Sequence, residues 1–589
     1  MTINRITNKD ELVAQKVNYF LDRMTHTAKY IGWEEQFELE SPTSLVEKVI
    51  LRLTGDSQYR LIYLDSYFKN NFFITDTLWD RYATYISVKK VVSKYNLLGK
   101  SDKILKEKLV DSASFHNDLK LLHRDLLHKM PEDLINEVLN AVKCKHKLGE
   151  QVPCYQYDHY RVLDSLAQGL VSEYFYRGYN ESEILRIIAN VFSKDGEQFP
   201  FPTHVNTKLK RKKFLSEGKL DNQLHGFTNV FKKAARKQIV MVKIYGGQFP
   251  EDFSFTYDSV RFWGKRHPVV LKIMALMKDF EIESFFEEGE YILGTSEIEY
   301  HSTASLVKKL GAKMRNELAF VSAVLHRDFN IDITKNYIVL DRHFRYKGAG
   351  WSSQRHQDPF TKDALTDLKD NVFHILKKVQ GDAVGWFLKC EPLFVKAHRH
   401  NSISDYWLYL ETLLSYNRKR KIVMDAVSEI ILSNEKANRN RRILSTLYDA
   451  LNFLGRAAPL LEVSYEKQRQ IIIAIRKGRI PREVRSLKYP FIEKLVEEFD
   501  STLSSAEYKQ AKDYYYRILT EAYEYRNFDV HKGILNEAAR IKLTSSLPLI
   551  VVRFRWELLD AFRQMDHSIP FDLIIDELIQ RRKKLIKSK

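Results

Sequence analysis

Near the end of the 589-residue chain, Arg526, Asn527 and His531 stand in the run Tyr525-Arg526-Asn527-Phe528-Asp529-Val530-His531-Lys532-Gly533. These residue types suit the cleavage of a phosphodiester that carries its own nucleophile. RNA is such a substrate, because its 2′-hydroxyl lies beside the phosphorus. A catalyst needs to hold that hydroxyl in line, move protons and neutralise the charge that builds on the phosphorane. Histidine, with an ordinary pKa of about 6.5, accepts or donates a proton near neutral pH. Arginine stays charged, and its planar fork matches phosphate oxygens. Asn527 could orient either the phosphate or the histidine. Such a reaction calls for no metal and no cofactor. Its products would bear a 2′,3′-cyclic phosphate and a 5′-hydroxyl.

The elements that must position these groups are helical. Ala511, Tyr515, Ile518, Ala522 and Tyr525 step by four, three, four and three, which predicts a long helix with an aromatic face beginning near Ser505. Five residues on an unbroken helix turn through about 500°, which leaves positions 526 and 531 roughly 140° apart. The two side chains then converge only if the helix ends or kinks between them. Asn527 and Asp529 favour helix ends over interiors, and Gly533 is a further break signal. A helix junction is therefore expected here. Upstream, the run Ser404-Asp405-Tyr406-Trp407-Leu408-Tyr409-Leu410-Glu411-Thr412-Leu413-Leu414 predicts a second helix. Glu411 follows Trp407 by four and precedes Leu414 by three, so it falls on the apolar face. A carboxylate there is costly unless paired, and Arg526 is a suitable partner.

Arg526-Asn527-x-x-x-His531, after an aromatic helix and an upstream helix with a glutamate among leucines, resembles the signature of the HEPN superfamily (higher eukaryotes and prokaryotes nucleotide-binding domains), in its ApeA-like branch. The resemblance covers roughly residues 400–589. It implies a C-terminal all-α HEPN helical bundle with endoribonuclease activity, of the kind found in toxin–antitoxin pairs, anti-phage abortive infection and RNA-guided effectors. It also implies a homodimer that brings two Arg–His sets into one cleft, with RNA, such as tRNA or mRNA, as substrate and a phage-derived trigger. The alternative within the same resemblance is a non-catalytic HEPN module that binds RNA or a partner. A basic DNA-binding regulator is a second alternative, although no helix-turn-helix is convincing. The bare motif is not specific, since Arg261 to His267 also matches it in a strand-flanked setting.

Charge fits an RNA partner. Lys and Arg number 94 against 76 for Asp and Glu, a net of +18, and residues 401–589 alone hold 34 basic and 25 acidic residues. Half of the excess thus lies in the last third, where it favours phosphate-bearing partners through counterion release. Arg476, Lys477, Arg479, Arg482 and Arg485, with Lys488, cluster around Gly478 and Pro481, which predicts a basic turn able to grip phosphates without reading sequence. Lys532 beside the motif is a further RNA-binding candidate. A second basic stretch, Lys208 to Lys213 and Lys232 to Lys237, reads as an exposed connector near Phe199-Pro200-Phe201-Pro202 and Gly226.

Other chemistries find less support. Cys144, His146, Cys154 and His159 offer four zinc ligands, but Cys-x-His is an uncommon spacing, and no metal site is expected. His398-Arg399-His400 reads as a surface stretch. There is no phosphate-binding glycine-rich loop, no His-Glu-x-x-His and no serine-nucleophile elbow. Three cysteines make no disulfide framework, the first residues hold no secretory core, and no apolar run approaches bilayer length. A cytoplasmic protein without membrane contact is the expectation.

The whole chain reads as mainly α with a mixed α/β middle module. Residues 1–238 form a helical region, expected to be a sensor or partner-binding part. Residues 239–399 hold strands at Ile239–Tyr245, Tyr291–Leu293 and Tyr337–Leu340, with a helix marked by Ala304, Val307, Leu310, Met314, Leu318 and Val321 between the last two. Residues 400–589 are all-α, with further helices over 533–543, 549–563 and 571–586.

Overall fold

The structure is a computed structural model. It describes most of residues 11–30, 112–144, 158–192, 199–232, 236–245, 252–276, 283–286, 291–300, 330–331, 336–351, 382–415, 423–452, 457–531, 537–564 and 570–587, with isolated positions elsewhere. The chain is mainly helical, with an antiparallel sheet in its middle. No helix of the described residues is long and apolar enough to cross a membrane.

The chain divides into two compact units. One comprises Met1–Tyr176, Ile184–Phe231 and Leu365–Lys589; the other comprises Arg177–Glu183 and Lys232–Ala364. This differs from a division into three regions at 238 and 399. The sheet module begins within a few residues of the first expected boundary. The second falls inside a helix, Asp382–His400, whose buried side chains belong to the C-terminal core. The first and last parts of the chain share one unit.

In that unit the N-terminal helices are α1 (Glu11–Lys29), α2 (Ala113–Lys143) and α3 (Asp158–Tyr176). They are followed by α4 (Glu181–Val191), which starts in the other unit, and by α5 (Lys208–Ser216) and α6 (Leu220–Asn229). The expected open connector after residue 199 is therefore folded. Phe199, Leu224 and Phe227 are buried there. A Cβ on Gly226 would come within 2.9 Å of the Phe199 ring, so only glycine permits that approach without a shift.

The sheet module has the strand order β2-β3-β4-β1-β6-β7, with β5 pairing β1. Its strands are β1 (Arg236–Tyr245), β2 (Ser254–Tyr257), β3 (Val260–Trp263), β4 (Tyr291–Tyr300), β5 (Asn330–Ile331), β6 (Asn336–Leu340) and β7 (Tyr346–Trp351). β1, β4 and β6 include the three strands expected from sequence. Alternation sends Val240, Val242 and Ile244 to one face and Met241 to the other. Leu306, Leu310 and Met314 are helical and buried in the first of these layers; Ala304, Val307, Leu318 and Val321 lie outside the described residues. On the second layer α7 (Pro268–Leu276) buries Val270 and Ile273.

The C-terminal core uses α8 (Asp382–His400), α9 (Ile403–Leu413) and α10 (Val423–Ile431). α11 (Glu435–Leu451), α12 (Tyr465–Arg476), α13 (Arg482–Arg485) and α14 (Pro490–Asp500) come next. The last three are α15 (Ser505–His531), α16 (Glu537–Gln564) and α17 (Phe571–Lys587). Two helices expected over 533–543 and 549–563 are one, with Pro548 inside it. Leu547, Ile550 and Val551 around that proline are buried, so tertiary packing outweighs its helix-breaking tendency.

Electrostatic contacts tie the N-terminal helices to the C-terminal ones. Arg23 Nε on α1 lies 2.6 Å from Asp164 Oδ1 on α3, and Lys494 on α14 bonds the same carboxylate. The Tyr19 hydroxyl donates to Asp164 at 2.8 Å, and Tyr489 donates to Asp22. Burial pushes the Asp164 carboxyl up, but Arg23 and Lys494 outweigh it and hold it below its ordinary value. At the end of α1, Lys29 pairs with Asp449 on α11 at 2.7 Å.

Candidate active site

α9 is built to present Glu411 at a fixed place. Ser402 caps it, its Oγ accepting from the Asp405 N–H at 3.2 Å. Tyr406, Trp407, Leu410 and Leu413 are buried. Trp386 on α8 donates Nε1–H to the Leu413 carbonyl at 2.9 Å. Tyr409 donates to Glu391 on α8, which also accepts from Arg555 on α16; the Arg555 guanidinium lies 3.8 Å from the Phe394 ring centre. Both ends of α9 and its middle are therefore fixed to neighbours.

α15 brings the arginine to that helix. Ala511, Tyr515, Ile518 and Ala522 of its aromatic stripe are buried, and Tyr525 is half-buried against the same core. Tyr523 packs on Trp407 with ring centres 5.3 Å apart. One turn further along both helices, Arg526 Nη1 lies 2.9 Å from Glu411 Oε2, with side-chain exposures of 31% and 14%. The two contacts advance in the same direction along α9 and α15, so they form one seam. Arg526 Nε and Nη2 have no partner among the described residues. A guanidinium held at one nitrogen and open at two can still grip an oxyanion. A carboxylate on an apolar helix face needs a cation, and Arg526, the partner expected from sequence, supplies it.

The expected junction between Arg526 and His531 is absent. α15 is helical through His531, so Asn527 and Asp529 do not end it. Positions 526 and 531 consequently stand about 140° apart around one axis. Intrahelical hydrogen bonding and the packed stripe before them outweigh the weak cap preference of Asn and Asp. Asn527 and His531 lie in the helix, but their side chains are outside the described residues, as is Lys532 altogether.

No family model, curated protein or solved structure matches this chain.

The basic turn has the expected form and a smaller set of available cations. α12 ends at Arg476, Gly478 takes φ +83°, and Pro481 precedes α13. A positive φ there suits glycine and reverses the chain. Arg476, Lys477, Arg479 and Arg482 are exposed. Arg476 lies over the Tyr448 ring at 4.5 Å, its guanidinium bonding the phenol oxygen. Arg485 differs from expectation: it binds both Asp500 carboxylate oxygens and the Ile480 carbonyl. That fork closes the turn onto α14 and engages the Arg485 guanidinium. Lys477 and Arg479 are exposed and have no ion pair among the described residues.

The weaker candidates separate cleanly. Arg261 sits on β3, with Nε donating to Thr256 at 3.0 Å, and His267 packs on Trp263. His267 precedes α7 and caps it, its Nδ1 accepting from the Val269 N–H at 3.2 Å. His398 stacks on Phe394 and bonds the Tyr406 hydroxyl at 3.0 Å, finishing α8. Cys144 is exposed at the end of α2, His159 lies in α3, and His146 and Cys154 are outside the described residues. No group of three metal-capable side chains occurs among the described residues.

Sequence reading missed a buried ionic node behind α15. Tyr515 donates to Glu435 Oε2 at 2.6 Å, and Arg442 and Arg553 approach the same carboxylate at 3.4 and 3.9 Å. Tyr515 was legible as an apolar stripe residue, but nothing in the stripe showed where its hydroxyl goes. Glu521 and Glu524, five and two residues before Arg526, are also buried. Their position beside the stripe gave no warning.

Proposed function

We propose that the chain is a metal-independent endoribonuclease of the HEPN kind, acting in anti-phage defence by abortive infection. The observation that carries this reading is the Glu411–Arg526 ion pair at 2.9 Å, which joins the helix that holds the Arg–His motif to the upstream helix with a glutamate among leucines. Glu411 sets the plane of the guanidinium, and its free nitrogens receive the non-bridging phosphate oxygens. The 2′-oxygen attacks phosphorus and loses its proton to a base. The 5′-oxygen leaves and takes up a proton. His531 serves proton transfer, and Arg526 offsets the phosphorane charge. The unbroken helix between the two residues favours a site assembled from two copies, in which Arg526 of one faces His531 of the other.

That same 140° separation favours a second reading, a HEPN module that binds RNA or a partner without cleaving. Incubating purified protein with total RNA in EDTA, beside Arg526→Ala and His531→Ala, separates the two. Fragmentation by wild type and loss of at least a hundredfold in each variant is the outcome for an enzyme. RNA left intact by wild type while still bound selects the second reading.

A further inference from the structure

α5 is a helix that opposes its own charges. Lys208-Leu209-Lys210-Arg211-Lys212-Lys213-Phe214-Leu215-Ser216 has five cations and no acid. Lys208 and Lys212 are four apart, a like-charge spacing that destabilises a helix. The first turn holds lysines and no acidic residue, against the positive end of the helix dipole. Among the described residues no carboxylate pairs with Lys208, Lys210 or Lys212.

The helix is nevertheless anchored. Thr207 caps it, its Oγ1 accepting from the Lys210 N–H at 3.3 Å. The Phe214 ring packs on Phe199 and Phe201 at 5.7 and 5.8 Å, and the Arg211 guanidinium lies over Phe201 at 5.2 Å. Taking the midline between Arg211 and Phe214 as the inward side, Lys208, Leu209, Lys212 and Lys213 all point about 90° or more away from it. All four are exposed, Leu209 to 80%. An anchored helix thus holds three lysines outward on one face, although local electrostatics disfavour the arrangement. A polyanion would relieve it.

We infer that the outward face of α5 is a docking surface for the phosphodiester backbone of RNA. This rests on the proposed RNase reading for the choice of polyanion. The charge pattern supports it over a lipid surface. A membrane-seated helix needs an apolar face opposite its lysines, whereas here the one large apolar residue on the outward face, Leu209, lies between them. α5 belongs to the same compact unit as the Arg526 site.

The test uses the full chain with Arg526→Ala, so that RNA survives, and compares it with the same chain carrying Lys208→Gln and Lys212→Gln. Binding of a fluorescent 30-nucleotide RNA is measured by anisotropy from low to moderate salt, with melting temperature as the fold control. Loss of two phosphate contacts should lower the slope of log affinity against log salt by about 1.4 and weaken binding on the order of tenfold at 0.1 M salt. An unchanged slope, or no RNA binding by the parent, overturns the inference. So does a double variant that loses binding to phosphatidylserine vesicles but not to RNA, which would make α5 a lipid-facing helix. Cleavage by the chain with Arg526 intact is scored separately: cleavage with an unchanged α5 slope spares the RNase reading, and a lost slope without cleavage spares α5.

Discussion

At the scale of single residues, the seam between α9 and α15 makes Glu411 a positioning residue for Arg526. Glu411→Gln keeps the shape and removes the charge that fixes the guanidinium. It should lower kcat about 10- to 100-fold, as expected when a reacting group is misplaced by about 1 Å, with little change in KM and an unchanged melting temperature. A parallel fall in melting temperature would instead mark Glu411 as a fold residue. Asp164 offers a stability test. Asp164→Asn leaves Arg23 and Lys494 facing a neutral amide in a partly buried place, and should cost about 3 kcal/mol in denaturant unfolding. The sign with pH follows from the depressed carboxyl. Its contribution is full above the unfolded pKa of about 4 and disappears as pH falls through the lower folded value. The difference between wild type and variant should therefore be flat near neutrality and shrink in acid. The Glu411–Arg526 pair was legible in sequence because burial cost demands a partner. The Arg485–Asp500 fork was not, because the acid comes from a different helix, and no local pattern links a turn to the far end of α14.

Elements were legible where periodicity is strong. The aromatic stripe of α15 and the strand runs of β1, β4 and β6 follow from spacing alone. Elements were missed where tertiary packing overrides local preference. α16 runs through Pro548, α15 runs through Asn527 and Asp529, and α5 forms from a sequence that repels itself. α15 and α16 are stabilised by contacts with residues far away in the chain, and α5 by the Phe199 and Phe201 rings just before it. The unbroken α15 has a functional consequence. If each productive cleft takes Arg526 from one copy and His531 from the other, a mixture of Arg526→Ala and His531→Ala chains, refolded together, should regain up to about a quarter of wild-type activity by simple statistics of one intact cleft in half of the dimers. Pure samples of either variant should stay inactive, and no recovery in the mixture would place both residues of a working site in one chain.

For the whole molecule, the N-terminal helices are part of the body that carries the site. Tyr19 and His26 of α1 pack on the Phe491 ring of α14 at 6.1 and 6.0 Å, and Tyr489 and Lys494 bind acids on α1 and α3. The sequence showed helices at both ends of the chain but could not show that they meet, since that depends on contacts hundreds of residues apart. Removing residues 1–176 should therefore expose Phe491 and take Asp164 from Lys494, giving an aggregating or low-melting fragment by size-exclusion chromatography and circular dichroism. A well-folded, soluble fragment would show that the N-terminal helices are dispensable to the fold.

The proposed site is tested most directly by the ends of the RNA fragments formed. Fragments produced in EDTA would be mapped by their response to phosphatase, kinase and cyclic-phosphate-opening treatments. A site using the substrate's own 2′-hydroxyl leaves 2′,3′-cyclic phosphate and 5′-hydroxyl ends, and these vanish with Arg526→Ala and with His531→Ala. Fragments with 3′-hydroxyl and 5′-phosphate ends, or cyclic ends that persist in either variant, would contradict it.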